Sequence, residues 1–305
     1  MRLANRVKPK HMELVIKIAE TAQLQMAAQI SGMSQPAASR ILAEIEASLE
    51  TKLFTRQPTG MELTAEGQVF VRHARVVLSE MQNIEDELAR MRSGVMGHVR
   101  VGAVTGPALG CLMPAINAVQ NDHLDFRLSV DVAPSRVLFR GLEEARYDFI
   151  LGRVPEDHDR LDFHLYPGRN EVVTLLVHDS HPLAARDKVS FAELAEYPWV
   201  IQDEGNPIRQ AVELAFHSAG VPTPRRVINS SSLLIALAQV AESQAISPQT
   251  NEVKALLTSS GIAARLTSLN VDTPINVQPY FIIRDNRRNL TQAADKLLKS
   301  VLANI

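Results

Sequence analysis

The sequence predicts an α/β protein in three parts: an N-terminal winged helix-turn-helix, a long dimerisation helix and a two-lobed α/β domain. Three observations support this prediction. A capped helix follows a tight Gly-containing turn, an apolar heptad pattern comes next, and strand-like and helix-like segments then alternate to the end of the 305-residue chain. We assign residues 1–65, 66–96 and 97–305 to the three parts.

The helix-turn-helix begins with a short helix over Leu24 to Ile30, after a first helix from about Lys10 to Glu20. Ser31-Gly32 is a turn signal, and Ser34 is a suitable N-cap for a second helix that carries Pro36 in its first turn and ends near Leu49. Four-residue spacing assigns the inward face of this second helix to Ala37, Ile41 and Ile45.

The outward face of the second helix carries Gln35, Ser39 and Arg40 near its N-terminus. An amide suits adenine, a guanidinium suits guanine or phosphate, and a hydroxyl suits either kind of contact. An ordinary capped surface helix explains this segment equally well, so its meaning depends on the rest of the chain. Residues 52–64 predict a small β-wing, in which Arg56 would lie along the sugar-phosphate backbone. The candidate DNA-binding residues are therefore Ser34, Gln35, Pro36, Ser39, Arg40 and Arg56.

The next segment is a long helix with an apolar seam. The seam has alternating four- and three-residue spacing, at Phe70, Ala74, Val77, Met81, Ile84, Leu88 and Met91. Such a seam predicts a partner helix from a second copy of the chain, although packing on its own domain is an alternative. A dimer would present two recognition helices about 34 Å apart to a near-palindromic site.

Composition restricts the class of protein. The chain is 46% hydrophobic with a net charge of −2, yet residues 1–65 hold eight Lys or Arg against six Asp or Glu. The single cysteine, Cys111, excludes an intrachain disulfide and a cysteine-based metal site. The N-terminus has no apolar signal segment, and the long uncharged stretch 101–121 is interrupted by Gly and Pro, so we expect a cytoplasmic protein with no membrane span.

Alternating elements occupy residues 97–305. Strands are predicted at Val99–Ala103, Phe126–Val132, Phe149–Leu151, Val172–Val177, Trp199–Ile201, Ile228–Asn229, Ala245–Ser247 and Tyr280–Ile283, with helices at about 107–120, 135–145, 208–218, 233–242 and 291–302. The pattern predicts largely parallel sheets in two lobes. Lobe I takes about 97–167 and 270–305, and lobe II takes about 168–269.

Several motifs carry a family resemblance. They are Ala27-Ala28, the run from Ser34 to Arg40, Leu53-Phe54-Thr55-Arg56 and Leu63-Thr64-Ala65-Glu66-Gly67. In this order, over the whole chain, they resemble the LysR-type transcriptional regulators. Within that family, three further segments resemble the branch that contains galactose-binding-protein regulators: Pro198-Trp199-Val200, Gly205 to Arg209 and Ser231 to Leu234. The resemblance implies an effector domain like a periplasmic binding protein, a dimer or tetramer on operator DNA, and contact with RNA polymerase.

Candidate ligand-binding residues follow the strands, because small molecules bind beyond the C-terminal strand ends of open α/β sheets. Thr105 and Ser135 hold such positions, and the resemblance implies that both line the inducer cleft, although each is also an ordinary N-cap. Arg153 either contacts the ligand or forms a salt bridge with Glu156 or Asp157. An arginine in the cleft would favour an anionic inducer, such as a sugar acid or an aromatic acid. On lobe II the candidates are Ile201, Gln202, Pro207 and Ser231.

The sequence shows no catalytic or metal-binding motif. Its nine histidines lack HxxxH spacing, and neither GxSxG nor a GxxxxGK[ST] loop occurs. We therefore predict a ligand-responsive DNA-binding regulator with no enzymatic activity, no cofactor and no bound metal. The alternatives are a binding protein or enzyme with an appended interaction module, and a nucleoid-type DNA protein that senses nothing.

Overall fold

A computed structural model describes residues 7–58, 60–93, 98–121, 127–155, 158, 161–259, 262 and 264–305. The N-terminal part contains three helices, a two-stranded antiparallel wing and the start of a long helix. These elements are α1 (Pro9–Thr21), α2 (Leu24–Ile30), α3 (Gln35–Leu49), β1 (Phe54–Gln57), β2 (Gly60–Leu63) and α4 (Ala65–Ser93). The predicted helix-turn-helix and wing are therefore present.

The start of α3 follows from its sequence. The Ser34 hydroxyl accepts a hydrogen bond from the Ala37 backbone N–H, and Pro36 lies in the first turn. Gly32 takes a left-handed φ of 65° in the preceding turn, a conformation that glycine adopts without steric cost. The inward face differs from the prediction. Ala38, Leu42 and Ile45 are buried, whereas Ala37 is exposed and Ile41 only half-buried.

A buried carboxylate joins α3 to the wing. Glu46 accepts hydrogen bonds from the backbone N–H groups of Leu53 at 3.0 Å and Phe54 at 3.4 Å, and its other oxygen pairs with Lys52 at 2.6 Å. The backbone N–H groups at the start of the wing, at Leu53 and at the first residue of β1, are therefore hydrogen-bonded to α3. This contact fixes the wing relative to α3.

The long helix α4 has two different halves. The Thr64 hydroxyl caps its start by accepting from the Gly67 N–H at 2.9 Å. Ala74 is buried and Phe70 packs on the core of the N-terminal domain, so the alternative of packing on its own domain applies to this half. Farther along, the seam residues are 43–58% exposed: Val77, Met81, Ile84 and Leu88. The side chain of Met91 lies outside the described part of the structure.

Lobe I is a five-stranded sheet covered by helices. Its elements are β3 (His98–Ala103), a helical segment made of α5 (Thr105–Pro107), a short π-helix (Ala108–Leu112) and α6 (Met113–Asn121), β4 (Arg127–Val132), α7 (Ser135–Glu143), β5 (Phe149–Gly152), β6 (Phe163–Pro167), β13 (Phe281–Asp285) and α12 (Gln292–Ala303). The strand order is β4-β3-β5-β13-β6. Strand β3 is parallel to β4 and β5, whereas β13 is antiparallel to β5 and β6. Phe126, predicted as part of the second strand, lies outside the described residues.

Lobe II corrects the prediction of largely parallel sheets. Its elements are β7 (Glu171–His178), α8 (Phe191–Ala195), β8 (Trp199–Ile201), α9 (Pro207–Ser218), β9 (Val227–Asn229), α10 (Leu233–Glu242), β10 (Ser247–Thr250), α11 (Asn251–Thr258), β11 (Leu266–Leu269) and β12 (Ile275–Val277). Strands β10, β11 and β12 all pair with β7 in the antiparallel sense, and only the described pair β8 and β9 and two isolated bridges are parallel. Residues 173–177 of β7 are all buried, so both faces of this part of the strand are covered, and a mostly apolar run of this kind does not reveal strand direction.

Two short connectors join the lobes. One runs from β6 to β7, and the other from β12 to β13; Gly168 of the first donates its N–H to the Tyr280 carbonyl of the second at 3.0 Å. Because β12 belongs to the sheet of lobe II, the chain returns to lobe I after residue 277. The predicted boundary near residue 270 is therefore too early.

Lobe I also contacts α4 through an ion pair and hydrogen bonds. Arg75 of α4 pairs with Glu144 at 3.1 Å, and Arg288, which follows β13, donates to the Tyr147 carbonyl and to the Ser79 hydroxyl. These contacts connect the long helix to the α/β domain of the same chain.

Among the described helices, none has an apolar stretch of the length that a membrane span needs.

Removal of the Glu46 carboxylate tests the junction between α3 and the wing. Glu46→Ala leaves two buried N–H groups without an acceptor, and we expect the N-terminal domain to lose about 2–4 kcal/mol of unfolding free energy. Urea unfolding followed by circular dichroism measures the change. Glu44→Ala is the matched control, because Glu44 is exposed and only pairs with Arg40, so the expected loss is below about 0.5 kcal/mol. Equal losses for the two variants would contradict the assigned role of Glu46.

Candidate nucleic-acid interface and interlobe cleft

The open face of α3 centres on Arg40, whose side chain is 83% exposed. Its Nε donates to Glu44 Oε1 at 3.1 Å, an exposed pair that costs little to break. Four-residue spacing sets Pro36 beside Arg40, and it sets the exposed Gln35 beside the half-buried Ser39. The first two turns of α3 thus present an amide, a hydroxyl and a guanidinium together, as a groove-reading helix requires.

Two other predicted residues support this face. Ser34 is exposed, and its hydroxyl caps α3 by accepting from the Ala37 N–H. Its role in this structure is therefore to start the helix. Arg56 is exposed on β1 and lies opposite Met61 in the wing. A cation on a projecting wing suits contact with phosphates.

A cleft of about 140 Å³ lies between the two lobes. Its lobe I wall comes from the ends of β3, β4 and β5, and its lobe II wall comes from β8, β10 and the starts of α9 and α10. The predicted ligand-binding residues that line it are Thr105, Ser135, Arg153, Gln202, Pro207 and Ser231. Ile201 does not line it: its side chain is buried in the hydrophobic core of lobe II, because alternate residues of β8 point to opposite faces.

Most hydroxyl groups of the cleft already have partners within the protein. Ser135 Oγ accepts from the Arg153 backbone N–H at 3.1 Å, and Ser231 Oγ donates to Asp203 at 2.9 Å. Ser232 caps α10 by accepting from the Ile235 N–H. These bonds fix the loops that form the walls, so the cleft is shaped before any ligand enters.

The charged side chains that line the cleft among the described residues are Arg153 and Glu171, and they pair with each other. Arg153 Nη2 donates to Glu171 Oε2 across the lobes, and its Nε and Nη2 also donate to the Gln278 carbonyl at 2.9 and 2.7 Å. Burial raises the pKa of Glu171, and the adjacent guanidinium opposes that rise. The salt-bridge interpretation of Arg153 is therefore correct in kind, but the partner is Glu171; Glu156 and Asp157 lie outside the described residues.

Three residues that the sequence does not predict also line the cleft: Glu171, Gln249 and Thr250. Thr250 ends β10 and precedes α11, so the rule that selected Thr105 and Ser135 would also have selected it. The predicted strand Ala245–Ser247 stops short of Thr250, because Ser-Pro-Gln-Thr, the sequence of β10, lacks the apolar pattern of a buried strand. Glu171 carries no local signal, since its partner is 18 residues away.

No three His, Cys, Asp or Glu side chains converge on a metal-binding arrangement within the described ranges. The predicted absence of a metal and of a cofactor stays a prediction.

Two family models together match almost the whole chain. Residues 9–68 match the bacterial regulatory helix-turn-helix protein of the lysR family, and residues 92–304 match the LysR substrate binding domain. Among relatives, the HTH-type transcriptional regulator GbpR of Rhizobium radiobacter is 38% identical over 78% of this chain and 80% of its own length. GbpR of Azospirillum brasilense is 33% identical over 99% of this chain and 87% of its own length.

Solved structures share the fold. Full-length CbnR complexed with its target DNA is 21% identical, with a TM-score of 0.63 over 98% of this chain and all of that chain. ArgP from Mycobacterium tuberculosis is 15% identical, with a TM-score of 0.65 over 96% of both chains. With two family models and relatives above 30% identity in agreement, the chain belongs to the LysR family of transcriptional regulators, which bind DNA, respond to small-molecule effectors and are not enzymes.

Proposed function

We propose that this protein binds a near-palindromic operator as a dimer, through the α3 face and the wing, and that a small molecule in the interlobe cleft shifts the arrangement of the two DNA-binding domains. The observation that carries the proposal is the open face of α3, with Arg40 exposed and Glu46 holding the wing beside it. The ligand couples to DNA binding only if it binds the two arrangements with different affinity.

The exposed half of α4 supports the dimer. Val77, Met81 and Ile84 lie at four- and three-residue spacing, and each is more than 40% exposed. An apolar seam of this kind is stabilised when a second helix covers it. We further propose that dimers pair into tetramers on DNA, that the bound protein contacts RNA polymerase, and that it works in the cytoplasm.

Replacement of Arg40 tests the DNA-binding face. We expect Arg40→Ala to weaken binding to the preferred duplex by roughly 10- to 100-fold, since one bidentate contact is worth about 1–3 kcal/mol, while the fold is unchanged. Gel shifts on a duplex selected from a random pool measure this. Glu44→Ala is the matched control, because it frees Arg40 from its ion pair and should bind at least as tightly as the parent. Full sequence preference in Arg40→Ala would refute the assignment.

Charges in the exposed seam test the dimer. Met81→Glu with Ile84→Glu should give monomers in sedimentation, because four carboxylates would meet in an apolar contact. Val69→Glu is the control: Val69 is 48% exposed on the same helix but lies outside the seam. A dimer that survives the double change would show that α4 does not form the interface.

Replacement of Thr105 tests the switch. Thr105→Val keeps the shape of the side chain and removes its hydroxyl, so we expect unchanged operator binding without effector and about a tenfold higher effector concentration for half-response. The effector is obtained by thermal-shift screening of the full chain. Thr223→Val makes the same change outside the cleft and should respond like the parent. An unchanged dose-response curve for Thr105→Val would argue against a ligand at this wall.

A further inference from the structure

One guanidinium joins the N-terminal domain to lobe I. Arg75 lies in α4, and its Nη2 donates to Glu20 Oε1 of α1 at 3.3 Å. Its Nη1 pairs with Glu144 Oε1, at the end of α7 in lobe I, at 3.1 Å. The Arg75 side chain is only 16% exposed, so the guanidinium lies between packed elements. The N-terminal domain and the α/β domain therefore share one side chain in addition to the helix that connects them.

Both carboxylates that bind Arg75 stand at the C-terminal ends of helices. Glu20 lies in the last turn of α1, and Glu144 is the C-cap of α7. The partial negative charge at a helix C-terminus disfavours a carboxylate and favours a cation. A guanidinium between two such ends compensates both, because its fork offers separate nitrogen atoms to two acceptors. Arg75 therefore stabilises the two helix ends at the same time.

The end of α1 is also bonded directly to the wing. Met61 of β2 donates its backbone N–H to the Ala22 carbonyl at 2.7 Å. Gly60, the first residue of β2, approaches the same carbonyl so closely that a Cβ there would overlap it. Because Ala22 follows Glu20 by two residues, the turn that Arg75 binds is also the turn that the wing contacts. A shift of this turn relative to α4 therefore moves the wing.

On the lobe I side, the turn after α7 contacts α4 at a second point. Ser79 lies one helical turn after Arg75, and its hydroxyl donates to the Ala145 carbonyl at 3.5 Å and accepts from Arg288 Nη2 at 3.3 Å. Arg288 is itself buried in lobe I. Lobe I is thus fixed to α4 at two successive turns. The pair of Arg75 with Glu20 is the next step, from that junction to the N-terminal domain.

We propose that Arg75 is a positioning residue for operator recognition: through Glu20 and Glu144 together, it holds the wing and α3 at one angle to lobe I of the same chain. In a dimer, a fixed angle in each chain sets the separation and the relative rotation of the two recognition helices. This inference rests on the proposed function, since it concerns how two half-sites are read together. A single half-site is read by one DNA-binding domain and does not depend on the angle.

Arg75→Met tests the proposal, because it keeps the length of the side chain and removes the guanidinium. The probes for gel shifts with the full chain are the duplex selected from a random pool, a duplex with one half-site, and duplexes with insertions between the half-sites of up to about half a helical turn, roughly five base pairs. We expect the parent to lose about tenfold or more in affinity at the largest insertion. Arg75→Met should lose about fivefold less there, and it should bind the single half-site like the parent.

Two matched controls each remove a cation from the same network without breaking the link between the domains. Arg140→Met removes a guanidinium that pairs with the same Glu144 oxygen at 3.0 Å, but both residues belong to lobe I. Lys17→Met removes an ammonium that pairs with Glu20 at 2.8 Å within α1. Both controls should show the spacing dependence of the parent. Arg75→Met itself should fold, since Glu20 keeps Lys17 and Glu144 keeps Arg140, and circular dichroism checks this.

Three results would overturn the proposal. An insertion penalty in Arg75→Met as large as in the parent would show that α4 alone sets the angle. An equal loss on every duplex, the single half-site included, would give Arg75 a purely structural role. A parent that binds all spacings alike would show that no angle is fixed. Any of these results leaves the proposed function intact as long as Arg40→Ala loses its sequence preference, whereas full preference in Arg40→Ala would reject that function itself.

Discussion

The ion pair between Arg153 and Glu171 sets the geometry on which the α/β domain depends. Arg153 follows a strand of lobe I, Glu171 begins a strand of lobe II, and the same guanidinium reaches Gln278 in the second connector. The Arg153 side chain thus bonds to a residue beside each of the two connectors that join the lobes. Breaking such a buried pair by removing one partner typically costs about 3–5 kcal/mol, because the other charge stays buried without compensation. The Arg153 guanidinium therefore has an internal carboxylate and an internal carbonyl as its partners.

The N-terminal domain could be predicted closely because its signals are local. A cap, a proline in the first turn and a glycine in the preceding turn each act within a few residues, and the structure starts α3 where Ser34 indicates. Ile45 is buried as predicted, but the other two inward positions are Ala38 and Leu42, one residue after the predicted ones, and Ala37 and Ala38 are chemically identical neighbours. Only the packing of Leu42 and Ile45 against α1 and α2 selects Ala38. The cap and the proline therefore determine where α3 begins, whereas tertiary packing determines which face of α3 points into the core.

The cleft could be predicted only at the positions where apolar strands mark their own ends. Thr105 and Ser135 follow such strands, and both line the cavity. The polar strand that ends at Thr250 gave no such signal, and Glu171 became visible only when the fold brought it to Arg153. The lobe I wall and much of the lobe II wall were therefore predictable from the sequence, whereas the pairing of Arg153 with Glu171 was not.

The position of α4 provides a physical route from the cleft to DNA. Lobe I contacts α4 through the pair of Arg75 with Glu144 and through Arg288, whereas the opposite wall of the cleft belongs to lobe II. A ligand that bonds to lobe II and is enclosed by lobe I gains most when the lobes close, so its binding free energy depends on the angle between them. Because α4 is bonded to lobe I and is joined to the wing and α3, closure of the lobes would change the placement of the two recognition helices in the proposed dimer. The coupling then requires no deformation within either lobe, only a rotation about the two connectors beside Arg153.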